Sequence, residues 1–193
     1  MGTTCQALKK EKIMSDLSTI NGSYDIDASH SRLGFVVRHA MVTKVRGSFS
    51  DFTGKASGDA SDPSSIKVNV TAQADSFTTG NEDRDKHVKS GDFLDVENNP
   101  TLTFTSTSAE IKGDTLELTG DLTIKGTTQS VTIPFEFGGE AKDPFGNVRV
   151  GFEGAITISR KDFGLSWNAA LETGGVLISD AVALELEISA IKK

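Results

Sequence analysis

The side chains able to do polar chemistry are few and scattered. His30, His39 and His87 are the only histidines, and their spacing puts no two of them on one helix or strand face, so they do not assemble a metal site from sequence. A base at His39 oriented by Asp85 would be a general acid–base pair. No Gly-x-Ser-x-Gly elbow, Gly-x-x-x-x-Gly-Lys loop, His-Glu-x-x-His pair or dinucleotide glycine fingerprint accompanies it. Arg84 offers a planar fork suited to phosphate, or to the neighbouring Asp85 carboxylate as a pin for the local helix. Glu82, Asp83 and Asp85 lack the glycine and distal glutamate of a calcium loop and read as the acidic first turn of a helix. The single cysteine, Cys5, excludes an internal disulfide and a multi-cysteine metal site. A non-catalytic protein without a cofactor is the expectation.

Strands must position these groups. Eleven phenylalanines stand against one tryptophan and one tyrosine, so nearly all the ring surface lacks a polar handle and wants a dry interior. Period-two alternation recurs from Tyr24 onward: Leu33, Phe35, Val37 and His39; Ile66, Val68, Val70 and Ala72; Leu102 and Phe104. It continues through Leu116, Leu118, Gly120, Leu122 and Ile124, then Val131 to Phe137, Val148 to Ile158, and Val182 to Ile188. The opposite phase is Thr, Ser, Lys, Glu and Asp, which suits a wet face. Lys112 to Asp114 and Lys125 to Thr127 are hairpin turns. The pattern predicts an all-β fold of about eight antiparallel strands in up-and-down order. Closure into a barrel is favoured over a sandwich because it removes exposed edges. A short helix is expected from about Glu82 to Ser90, with the apolar pair Phe93 and Leu94 after it as a plug for one mouth. The irregular stretch from Lys161 to Leu177 borders the same cavity in this reading.

Length and charge narrow the function. A chain of 193 residues is one domain's worth, read as an extension over residues 1–21, disordered or weakly helical, and a barrel domain over 22–193. Twenty basic against 27 acidic residues, a net charge of −7, disfavours a broad nucleic-acid-binding face. No run approaches the ~18 apolar residues of a membrane-spanning helix. The first residues are charged where a secretory peptide needs an apolar run, so a cytoplasmic location is the expectation.

Several segments in order resemble a known family. They are Tyr24 to Ser31 leading into Phe35-Val36-Val37-Arg38-His39, Gly47-Ser48-Phe49, Thr79-Gly80 with Arg84-Asp85-Lys86-His87, and Gly91 to Asp95. Pro100 to Phe104, Gly120 to Thr127 and Arg160 to Leu165 complete the set. Over about residues 22 to 190 the chain resembles the YceI-like family, lipocalin-like bacterial proteins associated with polyisoprenoid binding. The resemblance implies an eight-stranded antiparallel barrel with one or two short helices near its mouth and a long lipid tail inside. Many members are periplasmic, and the charged first residues depart from that pattern.

An eight-stranded barrel sits at the size where side chains fill the interior or leave room for one small ligand. The candidate tail pocket is Leu33, Phe35, Val37, Phe49, Phe52, Phe77, Phe93, Leu94, Phe104, Leu122, Ile124, Phe135, Phe152 and Ile156, each also readable as ordinary core. The candidate head-group residues are His39, Arg84, Asp85 and His87. The expected partner is a long-chain isoprenoid, a polyprenyl phosphate or quinone-like molecule, or another amphiphilic lipid. A filled barrel acting as a structural or stress-response interaction module, including a homodimer through exposed strands, and an enzyme on an isoprenoid substrate are the alternatives.

Overall fold

The computed structural model describes residues 16–193. Among these residues the chain makes eight passes, written as eleven ladder segments because three passes are broken. The first pass is β1 (Asn21–Ile26) and β2 (Arg32–His39), separated by a 3-10 turn at Ala28–His30. The second is β3 (Thr43–Phe49) and β4 (Phe52–Asp59), and the third β5 (Asp62–Gln73) and β6 (Phe77–Thr78). The others are β7 (Thr101–Lys112), β8 (Thr115–Ile124), β9 (Thr127–Lys142), β10 (Val148–Ser159) and β11 (Ile178–Lys192).

Every pairing is antiparallel, and the ring closes because β11 serves two partners. Its first part pairs β2, with Leu184 opposite Phe35, and its last residues pair β1, with Lys192 opposite Tyr24. The alternation and the hairpin turns are therefore as the sequence predicts. Gly113 and Gly126 take the positive φ that those two turns require. The ladder has one gap, between β6 and β7. There the chain leaves the sheet as helix α1 (Glu82–Lys89), whose Asn81 cap accepts from the Arg84 amide at 3.0 Å. It returns through residues 90–100, where the Leu94 amide donates to Val88 O and the Ala74 amide to Pro100 O.

Apolar packing concentrates at two levels. One cluster joins Leu17, Phe104, Leu116, Leu118, Ile133 and Phe135 near the β7–β8 turn; the other joins Phe35, Phe77, Leu94, Ile124 and Phe163 at the opposite end. Leu17 revises the expected extension. It lies in a 3-10 turn (Leu17–Thr19) capped by Asp16, is 2% exposed, and packs into the first cluster, so residues 16–21 belong to the barrel. A turn of three residues carries no periodicity and so has no signature in the sequence. The rest of the proposed extension, with Cys5, lies outside the described residues.

An ionic clamp ties the first break to β10, across β11. Arg149 on β10 donates to Asp27 at 2.6 Å and to Asp143 at 2.8 Å. Asp27 also takes a hydrogen bond from Ser29 and contacts His30 Nδ1 at 2.8 Å, which commits His30 to this surface cluster. Ser29 and Arg149 hold the Asp27 carboxyl well below its ordinary value, and Arg149 and Asn147 do the same for Asp143.

Two outcomes follow. Leu17→Ala is expected to cost about 2–4 kcal/mol by leaving a cavity in the first cluster, read from urea unfolding curves. Carboxyls depressed in the folded state stabilise it above the unfolded pKa of 3.8, and that contribution is lost as pH falls through their folded values. Arg149→Gln is therefore expected to be less stable at neutral pH and to show a flatter loss of stability on acidification, measured by thermal melts across that range.

Candidate ligand-binding cavity

The barrel is hollow. A cavity of about 790 Å³ runs through it, within the size range of pockets that bury small organic ligands. Side chains therefore do not fill the interior, contrary to the filled-barrel expectation, which leaves a ligand-free interaction role untested. The sheet keeps the interior open with glycines. Gly47, Gly120 and Gly154 are buried and in the inward phase, and a Cβ on each would come within 2.4, 2.5 and 2.6 Å of the rings of Phe35, Phe104 and Phe135 respectively. Each ring thus lies over a neighbouring strand's bare backbone; Phe35 pairs with Gly47 and Phe135 with Gly154 in the ladder.

Twelve of the fourteen predicted tail-pocket residues line this space. Phe35, Phe77, Phe93, Leu94, Phe104, Ile124 and Phe135 are buried in its wall, and Leu33, Val37, Phe49, Leu122 and Phe152 are half-buried. Phe77 stacks on Phe35 with centroids 5.0 Å apart and meets Phe49 edge-on at 5.7 Å. Two predictions are corrected. Ile156 has the inward phase but packs against the first apolar cluster without lining the cavity. Phe52 is buried yet also lines no part of it, because it starts β4 directly after the Ser50-Asp51 break, where strand phase no longer places a side chain.

The two ends differ. Leu17, Ile20, Tyr24 and Ala60 line the closed end, and the Ala60 amide donates to Ile20 O to fasten it. At the other end the lining includes exposed Arg38, His39, Thr43, Asp83 and Arg84, which puts the mouth between the β2–β3 hairpin and α1.

The predicted head-group residues divide at this mouth. Arg84 lines the cavity and is steered by Thr79, its Nε donating to Thr79 Oγ1 at 2.7 Å and a terminal nitrogen to Thr79 O at 3.3 Å. Asp85 does not line the cavity, which corrects its assignment. Its carboxylate accepts from the Thr79 amide at 2.9 Å and from the Thr78 and Thr79 hydroxyls, pinning α1 to β6. Burial raises its pKa, but those donors outweigh burial and the net direction is down. His87 lines the mouth, with Nε2 2.9 Å from Asp92 and its ring edge-on to Trp167 at 4.7 Å and Phe93 at 5.2 Å. Phe93 and Leu94, both buried, line this end, and the irregular stretch contributes Phe163, Leu165, Trp167 and Leu177 to the lining. His39 sits at the end of β2 with Ile178 and Thr43 as its neighbours across the ladder. It and Asp85 do not form an acid–base pair.

Arg160 is a buried charged cavity residue outside the predicted set. It is 5% exposed and lines the cavity beside this mouth, its guanidinium donating to the carbonyls of Leu165, Trp167 (2.9 Å) and Ser179 (3.0 Å). Burial pushes its pKa down, partly countered by Asp180, and a guanidinium remains charged there. The signal was available: Arg160 continues the inward phase of Phe152, Gly154, Ile156 and Ile158. Asn168 fixes the same loop through two bonds to the Ile178 backbone. Among the described residues, no group of three or more His, Cys, Asp or Glu is placed to hold a metal ion.

A closed eight-stranded antiparallel barrel with an apolar interior, sealed at one end and polar at the other, is lipocalin-like in architecture. The chain belongs to the YceI-like family, whose domain matches residues 24–190. A UPF0312 protein of Pseudomonas aeruginosa is 43% identical over 141 residues, covering 73% of this chain and 74% of that protein. Burkholderia cenocepacia BcnA has the same fold, with a TM-score of 0.74 at 23% identity over 85% of this chain and 98% of its own. So does a polyisoprenoid binding domain from Saccharophagus degradans, with a TM-score of 0.69 at 16% identity over 88% and 98%.

Arg160→Ala is expected to cost about 2–4 kcal/mol, because it removes the charged anchor that ties two loop carbonyls to the start of β11. Limited proteolysis should then cut between residues 164 and 177 faster than in the unaltered protein.

Proposed function

We propose that this protein binds a long-chain isoprenoid or similar lipid without chemistry, and sequesters or carries it with the tail in the barrel and the head at the mouth. The observation that carries the reading is the 790 Å³ apolar cavity with one sealed end and one polar end. Its wall is phenylalanine and aliphatic, as a hydrocarbon requires, and its mouth gathers Arg84, His87 and His39, as a phosphate or quinone oxygen requires. The polyisoprenoid binding domain from Saccharophagus degradans, which shares the fold, supports the same class of ligand.

The magnitudes suffice. If ~15 methylenes leave water at ~0.8 kcal/mol each, the gross gain is on the order of 10 kcal/mol. Ordering the tail and losing its freedom offsets several of these, and the surplus is still useful affinity.

Native mass spectrometry of freshly purified protein, with organic extraction of the same sample, is the test. A stoichiometric isoprenoid or other long-chain lipid is the expected result; a clean unliganded mass with no uptake of added polyprenyl phosphate or quinone would refute the reading. Gly154→Ala gives a matched prediction. Its new Cβ would lie 2.6 Å from the Phe135 ring and 3.2 Å from an Ile133 methyl, both side chains, so the ring must swing into the cavity. The variant should fold at a cost of about 1–3 kcal/mol and lose uptake of the longest tails first, read by titration with a series of chain lengths.

A further inference from the structure

The β2–β3 hairpin carries a feature that its fold does not need. Its tip is apolar and wet: Met41 is 56% exposed and Val42 76%, and Val176 on the adjoining loop is 40% exposed. The loop touches the tip, since the Ala40 amide donates to Leu177 O and a Cβ on Gly175 would sit 3.5 Å from Met41 Cγ. The backbone there is also unsuited to its residues. Ala40 and Met41 have φ of 50° and 62°, the left-handed region in which glycine or asparagine is at ease. A large apolar side chain thus occupies a strained turn position and finds little packing in return.

The flanks are basic. Residues 38 to 46 contain Arg38, Lys44 and Arg46 and no acid, in a chain whose net charge is −7. All three are exposed, and no salt bridge engages them among the described residues. Arg38 faces Lys44 across the ladder. Acids do share the wider rim, Asp83 at the mouth and Glu172 on the loop, so the cationic field belongs to the hairpin and not to the whole end. The tip stands where the apolar cavity opens, because His39 and Thr43 at its base line the mouth.

We infer that the β2–β3 hairpin is a membrane-docking element: Met41 and Val42, with Val176, enter the interface of an anionic bilayer while Arg38, Lys44 and Arg46 contact its headgroups. Exposed aliphatic side chains beside unpaired cations are the combination that binds a negatively charged lipid surface. Docked this way, the mouth faces the bilayer and a tail passes into the cavity without crossing water. The purpose of the element rests on the lipid-binding reading; the docking itself does not.

Flotation of the full chain with phosphatidylcholine vesicles containing about 30% phosphatidylglycerol, against pure phosphatidylcholine, tests this. The protein should float with the anionic vesicles only. Because each cation near such a surface contributes a factor of about five, Lys44→Glu with Arg46→Glu should lower binding at least ten-fold. Val42→Asp should do the same, and Phe145→Asp, at an 89% exposed position on the β9–β10 turn, should not. Met41→Gly should bind vesicles less well while melting no lower than the unaltered protein, which separates lost docking from lost folding.

No flotation, or flotation insensitive to all three hairpin variants, overturns the inference. So does light scattering that shows a dimer which Val42→Asp dissolves, since the patch is then a contact between two copies. Uptake of lipid delivered from cyclodextrin, without vesicles, is measured in parallel. Flotation without uptake refutes the lipid-binding reading and leaves docking standing, and uptake without flotation does the reverse.

Discussion

Three phenylalanine rings resting on three bare stretches of backbone decide what this barrel can do. Phe35, Phe104 and Phe135 point inward, and in an eight-stranded ring rings of that size meet across the axis and fill it unless the wall recedes. Gly47, Gly120 and Gly154 make it recede. With no Cβ in the way, each ring lies against the adjacent strand, and the apolar surface needed to stabilise the sheet is kept at the wall while the centre stays empty. Stability and capacity, which compete in a small barrel, are reconciled by position.

The second constraint is the difference between the ends. Leu17 and Ile20 close one with aliphatic packing, which needs no partner beyond the strands around it. The other end cannot be closed the same way, because the ladder is missing between β6 and β7 and α1 stands in the gap. Polar bonds hold that end together: Asp85 to Thr78 and Thr79, Arg160 to the carbonyls of Leu165 and Trp167 in the loop and of Ser179 on β11, Asn168 to the Ile178 backbone. A buried guanidinium tolerated beside an apolar cavity makes sense in those terms, since its donors are spent on carbonyls that would otherwise be buried without partners.

These two features together give a vessel with a direction. On the proposed function an elongated amphiphile would enter tail first, and the polar groups at the mouth are fixed to α1 and to the end of β2. The same end carries the hairpin whose exposed tip and basic flanks fit a lipid surface, so entry and docking converge on one rim. Membership of the YceI-like family sets the fold; the cavity's lining and the asymmetry of its ends are what argue for the occupant.

Period two along each strand determined most of the fold and most of the wall, because an alternating chain has only one phase that can face a dry interior, and Asn81, the acids after it and Gly91 marked α1 by cap and dipole. Arg160 is legible by the same phase. Phe52 and Ile156 were misplaced because phase says which face a side chain takes and not whether open space lies beyond it. Leu17 was hidden in a turn too short to have a period. Whether the barrel is hollow and which end opens were decided by tertiary structure alone, since each depends on distances between residues far apart in the chain and alternation carries no information about those; that Asp85 serves Thr79, a local contact, depends on α1 folding back onto β6, which strand alternation does not encode either.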